Sequence, residues 1–144
     1  MKARELMTKN PECVTREDTL QRAASIMRDS DIGAVPVVGD KDSRKLVGIV
    51  TDRDIAVRHV AEGGKSERTV GDVMSKGRLA TARENDDVER VMELMREHKV
   101  RRIPVVGAND EIVGMIAQAD LALEAGNERG VEETVERISQ PGRK

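Results

Sequence analysis

The chain holds one cysteine, Cys13, and two histidines, His59 and His98. A cysteine beside a histidine is a minimal nucleophile–base pair, but no third group stands at a spacing that would orient these residues. A zinc cluster would need further cysteines in CxxC pairs, and none occurs. No Walker A string, HExxH or GxSxG motif is present. The residues therefore offer no catalytic constellation and no metal-ligand set, and both histidines read as solvent-facing helix residues. Met27, Met92 and Met95 have the softness for a thioether site. At helical spacing, in a chain without Phe, Tyr or Trp, they read instead as core filler. The run Lys99, Arg101 and Arg102 has two readings: an anion contact, or a solvated stretch complementing a helix C-terminus. Arg53 is open to the same two readings, as a phosphate or partner contact or as an exposed helix residue.

Composition narrows the classes further. Lys+Arg total 25 and Asp+Glu 27, a net charge of −2 that favours neither nucleic acid nor a membrane surface. Without aromatic side chains, single-strand nucleic-acid binding lacks its stacking platform. The core must be built from Val, Ile, Leu, Met and Ala, within a hydrophobic fraction of 38%. No stretch approaches the roughly 18 apolar residues of a membrane helix. The opening MKARELMTKN lacks a signal-peptide core, and one cysteine excludes an internal disulfide. A soluble, cytoplasmic protein is expected.

An internal repeat organises the chain. IGAVPVVGD (32–40) matches VRRIPVVGA (100–108), with Pro36 and Pro104 at an offset of 68. LVGIVTDRDI (46–55) matches IVGMIAQADL (112–121) at an offset of 66, pairing Gly48 with Gly114 and Asp54 with Asp120. The two lost residues fall in the turn, 39–45 against 107–111. Upstream, Met7 matches Met74, and Met27 matches Met95.

Periodicity assigns the elements. Leu20, Ala23, Ala24 and Met27 predict a helix over 18–30, capped by Asp18 or Thr19. Strands are predicted over 34–38 and 46–51, then a helix over 52–62 with Ile55, Ala56, Val57 and Val60 apolar, ended by Gly63-Gly64. The second copy repeats this as helix 86–98, strands 102–106 and 111–116, and helix 117–126. Val131, Val135 and Ile138 predict a further helix over 131–140. The expected fold class is α/β (α+β): two tandem repeats, β-α-β-β-α each, covering 1–65 and 66–126, with a C-terminal helix and tail at 127–144. One unit of this size buries too little alone. The repeats should pack as a pseudo-two-fold pair around one shared core, with clefts where they meet. The helices at 52–62 and 117–126 offer Ile55, Val57, Val60, Leu121 and Leu123 as surplus apolar surface for a homodimer.

The duplicated Pro-Val-Val-Gly strand and GIVTDRD (48–54) resemble the cystathionine-β-synthase (CBS) domain, paired as in a Bateman module. The resemblance covers nearly the whole chain. DIGAVPV, VTDRDI and KVRRIPVV are most similar to short stand-alone bacterial CBS proteins of the hypoxic-response type. It implies a regulatory, non-catalytic module that binds an adenine nucleotide or related compound (AMP, ADP, ATP, NAD or S-adenosylmethionine). A homodimer or an unidentified protein partner would carry the signal. In this family the Thr-x-x-Asp end holds ribose. That fits the chemistry, since a carboxylate accepts from vicinal hydroxyls and a helix N-terminus favours phosphate. Alone, Thr51-x-x-Asp54 is also an ordinary helix cap, with Thr51 or Asp52 satisfying amides.

The resemblance implies crossed clefts. One would take Thr51 and Asp54 from the first copy, with Leu79, Ala80, Arg102, Ile103 and Pro104 from the second. The other would take Ala117 and Asp120 with Val14, Thr15, Ala34, Val35 and Pro36. Ala117 departs from the family pattern by lacking the hydroxyl, and only the second copy places cations before its proline. One competent site, around Thr51, Asp54 and Arg102, is therefore expected, with a weaker second one. A structural scaffold without ligand is the alternative.

Overall fold

The structure, a computed structural model, describes residues 1–65, 67–75 and 79–124. The helix expected at 131–140 lies outside these residues, as does the side chain of Leu123.

The first copy contains α1 (Ala3–Leu6), β1 (Thr8–Lys9), α2 (Leu20–Ser30), β2 (Ala34–Val38), β3 (Leu46–Thr51) and α3 (Asp52–Arg58). The second contains α4 (Val70–Val73), β4 (Ala82–Arg83), α5 (Val88–His98), β5 (Arg102–Val106), β6 (Ile112–Ala117) and α6 (Gln118–Glu124). Helix α2 forms because Leu20, Ala23, Ile26 and Met27 make one buried stripe and the Thr19 hydroxyl accepts from the Arg22 N–H at 3.0 Å. Ala24, expected in that stripe, is exposed, and Ile26 takes the inner position. Helix α5 repeats the stripe with Val88, Val91, Met92, Leu94 and Met95. Both helices end on a left-handed residue, Asp31 and Lys99, each at φ 53°.

Helix α3 is shorter than the 52–62 predicted. It stops at Arg58, whose Nη1 donates to the carbonyls of Val73 (3.2 Å) and Met74 (3.4 Å). The chain then tightens into a 3-10 turn over Val60–Glu62, and Gly63 turns away at φ 106°. The Gly64 N–H closes onto the His59 carbonyl at 2.8 Å.

Two compact units emerge, and they are out of phase with the repeats. One joins Met1–Asn10 to Ala80–Ala108 and the chain from Val113; the other joins Pro11–Leu79 to Asn109–Ile112. In the first, the sheet order is β1-β6-β5-β4, with β1 antiparallel to β6 and β4 parallel to β5. In the second, β2 and β3 form an antiparallel hairpin with Ala34 opposite Thr51. Its flanks are single bridges, Val14 parallel to Val37 and Ser75 antiparallel to Ile49, so the same order recurs in reduced form.

The lead segments are thus exchanged between the copies. Ala3 and Arg4 donate their N–H groups to Asp86 and Glu84 at 2.8 and 3.0 Å. In mirror fashion, Val70 and Gly71 donate to Asp18 and Arg16, both at 2.9 Å. This exchange explains two glycines that the repeat pairs. A Cβ on Gly48 would lie 2.7 Å from Met74 Cε and 3.2 Å from the Ser75 carbonyl oxygen. One on Gly114 would press on Met7 Sδ and lie 2.6 Å from its Cγ.

The single shared core expected from the sequence is replaced by two apolar clusters. Ala3 and Leu6 of the first copy join Val91, Met92, Met95, Ile103, Ile116 and Leu121 of the second. Val70, Val73 and Met74 of the second join Val14, Leu20, Met27, Val35 and Val50 of the first. Each cluster draws on both copies, so neither repeat builds its core from its own residues alone. Met27, Met92 and Met95 are core residues, as their spacing predicts. Leu121, expected on an outward helix face, is fully buried.

Candidate functional site

Thr51 closes β3 and caps α3. Its hydroxyl accepts from the Asp54 N–H at 3.0 Å, and Asp54 Oδ2 accepts from the Thr51 N–H at 2.9 Å. This reciprocal capping box satisfies two helix-end donors. Asp54 is 8% exposed, the buried charged residue among those described. The Ser75 hydroxyl faces both its oxygens at 3.3 and 3.4 Å, and Arg58 Nη1 lies 3.6 Å from Oδ1. A carboxylate offers about four acceptor positions. The Thr51 amide takes one on Oδ2, and Oδ1 is left with long contacts only.

The matching place in the second copy is half of this arrangement. Asp120 Oδ2 accepts from the Ala117 N–H at 2.8 Å. Ala117 has no hydroxyl to return the bond. Beside it, Gln118 Nε2 is buried with no hydrogen-bond partner among the described residues.

The amide-to-carboxylate step of three residues recurs beyond these two places, a pattern sequence reading missed. Glu5 accepts from Lys2 (2.7 Å), Asp18 from Thr15, Asp72 from Thr69 and Asp86 from Arg83 (2.8 Å each). The six form three pairs related by the duplication. Asp18, read as a possible helix cap, holds the Thr15 amide instead, and Thr19 does the capping.

Of the predicted site residues, Val14, Thr15, Ala34, Val35, Pro36, Thr51, Asp54 and Leu79 belong to one unit. Ala80, Arg102, Ile103, Pro104, Ala117 and Asp120 belong to the other. Within the first, the Val14 N–H donates to the Pro36 carbonyl at 3.0 Å, which sets the lead-in chain along β2. The side chains of Val14, Val35 and Ile103 are fully buried in their apolar clusters, so their backbone is what they can present. Arg102 opens β5 and is partly exposed; Arg101 is exposed, and Lys99 is the residue ending α5.

His98 is exposed on the last turn of α5, as expected. His59 is not solvent-facing: it is half-buried at the helix break, and its Nδ1 lacks a partner among the described residues. Cys13 is half-buried, and its Sγ donates to the Pro11 carbonyl at 3.3 Å. Burial pushes its thiol up, against the opposing pull of Arg44 and Lys41.

The two copies of this strand–cap–helix unit decide the family. The CBS domain pattern matches residues 3–59 and again 70–126. The chain belongs to the CBS domain family. It is 35% identical over 120 residues to Hypoxic response protein 1 of Mycobacterium tuberculosis, covering 83% of this chain and 82% of that protein. Among solved structures, Hypoxic Response Protein I with two coordinated zinc ions superposes with a TM-score of 0.76 at 36% identity, covering 86% of this chain and 98% of that one. The CBS domain pair of protein MJ0100, in complex with 5-methylthioadenosine and S-adenosyl-L-methionine, gives a TM-score of 0.76 at 26% identity, covering 89% and 98%. Two CBS repeats of the hypoxic-response type, in an α+β fold, thus account for nearly all the described chain. The described residues contain no group of three or more His, Cys, Asp or Glu placed to hold a metal ion, so zinc finds no ready-made ligand set among them. No described helix is long and apolar enough to cross a membrane.

Proposed function

We propose that this CBS pair is a regulatory module that binds one adenine nucleotide through Thr51, Asp54 and Arg102, and signals through a homodimer or a protein partner. The observation that carries the proposal is the difference between the two capped helices. Asp54 is buried beside a threonine, and its Oδ1 has only long contacts to Ser75 and Arg58 that a ribose hydroxyl would replace, whereas Asp120 stands beside Ala117. The MJ0100 pair, a structural relative with adenosine compounds bound, supports the ligand class. Arg102 supplies the guanidinium that a phosphate matches. Leu79, Ala80, Ile103 and Pro104 would then lie against the base. Val14, Thr15, Ala34, Val35 and Pro36, with Ala117 and Asp120, would make the weaker counterpart. An interaction scaffold is the second reading, favoured by the exposure of Val57 and Val60.

Calorimetry against AMP, ADP, ATP, NAD, S-adenosylmethionine and adenosine tests the proposal. Binding of an adenosine compound near one per chain is expected. No heat from any of the six, with an unchanged melting temperature, would overturn it in favour of the scaffold.

A further inference from the structure

A pocket of about 320 Å³ lies within the unit of Pro11–Leu79, on residues that the nucleotide proposal does not use. Its lining is Glu12 and Cys13 from the lead-in chain, Arg22 on α2, Val38 ending β2, and Lys41 and Arg44 in the hairpin turn. Three cations face one carboxylate there. Arg44 is held in place: its Nη2 donates to the Pro11 carbonyl at 3.0 Å, and its backbone sits at φ 56°. A side chain longer than Asn or Asp is uncommon in that left-handed region. One of the five guanidinium N–H donors is thereby spent, which fixes the group and leaves the others. Arg22 lies 3.9 Å from Glu12, a long ion pair that an incoming anion can displace.

The duplication supplies a control. At an offset of 66, Arg44 and Lys45 correspond to Asp110 and Glu111, and Asp110 shares the left-handed backbone at φ 61°. The shorter second turn keeps this left-handed position and carries acidic residues there instead of basic ones. The backbone therefore does not require the basic residues of the first copy.

We infer that this pocket binds a small inorganic phosphate or diphosphate anion, held by Arg44, Lys41 and Arg22 beside the Cys13 thiol. Its volume lies at the small end of ligand pockets and admits a phosphate or diphosphate with room to spare. Guanidinium pairs with phosphate oxygens bidentately, while Lys41 contributes a point charge.

Cys13 is the single cysteine of the chain, so its alkylation reports on this pocket alone. The full chain is treated with neutral iodoacetamide across a pyrophosphate titration, at ionic strength held constant with sodium chloride. Saturable protection is expected, slowing the reaction about tenfold as the site fills. Lys41→Gln, in an exposed turn, should weaken the protection, and Arg44→Gln should remove it. Circular dichroism checks that both variants fold. Adding adenosine should leave the protection unchanged, which separates this site from the nucleotide proposal. No protection, or a non-saturating effect equal in wild type and Lys41→Gln, would overturn the inference.

Discussion

Thr51 and Ala117 occupy equivalent places and differ by one hydroxyl, so they measure what that hydroxyl does. Removing an N-cap oxygen costs about 1 kcal/mol. Thr51→Ala should lower the unfolding free energy by about that amount, and Ala117→Thr should raise it by a similar or smaller one. Urea titration followed by far-ultraviolet circular dichroism reads both, since the chain has no aromatic probe. A neutral Thr51→Ala would mean that the 3.0 Å bond to the Asp54 amide contributes no net stability. Much at this scale was legible in the sequence: the Thr51–Asp54 step, its loss at Ala117 and the core methionines. What was not legible depended on distant partners. His59 is half-buried where α3 ends, and there Arg58 reaches the carbonyls of Val73 and Met74. Fifteen or so intervening residues gave no local sign of that contact. The recurrence of the cap at Lys2–Glu5 and Arg83–Asp86 was hidden for another reason: an amide donor is available on any residue but proline, so the first position shows no preference in sequence.

At the scale of elements, the exchange of lead segments is the feature that sequence comparison touched without resolving. The repeat pairs Met7 with Met74 and Gly48 with Gly114, yet alignment cannot say which methionine meets which glycine. The structure crosses them: Met7 covers Gly114, and Met74 covers Gly48. The strands β2 and β3 were within reach, because a short β-branched run, a charged turn and a second apolar run mark them. The single bridges at Val14 and Ser75 were not, being too short for any periodicity. Overpacking a close contact costs about 1–3 kcal/mol, so Gly114→Ala should destabilise by an amount in that range. Met7→Ala should be destabilising too, but the double variant should recover part of the loss, because the smaller side chain makes room. A double-mutant cycle in urea measures this coupling. Strict additivity would mean that the two residues do not meet.

For the whole molecule, two clusters built from both copies mean that neither repeat can be excised without stripping residues from the other's core. Surface character follows from the same packing. Val57 and Val60 remain 48% and 65% exposed, while Leu121, their expected companion, is buried. Substitutions at these places should therefore divide cleanly. In the proposed homodimer, Val57→Ser with Val60→Ser should lower the association constant in sedimentation while leaving the unfolding midpoint nearly unchanged. Leu121→Ala should cost about 2–5 kcal/mol of stability, as a fully buried leucine does. A shift of the unfolding midpoint by the valine pair, with the oligomer unaltered, would place those residues in the fold instead.

In the proposed module, one of two similar carboxylates carries the nucleotide. The direct measurement is calorimetric titration of Asp54→Asn and Asp120→Asn with whichever adenosine compound the wild type binds. Asparagine keeps an oxygen for the Thr51 or Ala117 amide, so the cap is preserved while the charge is removed. Loss of a charged hydrogen bond is worth about 1.5–3 kcal/mol, and Asp54→Asn should weaken binding by roughly ten- to a hundredfold. Asp120→Asn should leave the affinity within about twofold of wild type, as a change outside the binding contacts does. Equal losses in the two variants, or the larger loss at Asp120, would contradict a single site at Asp54.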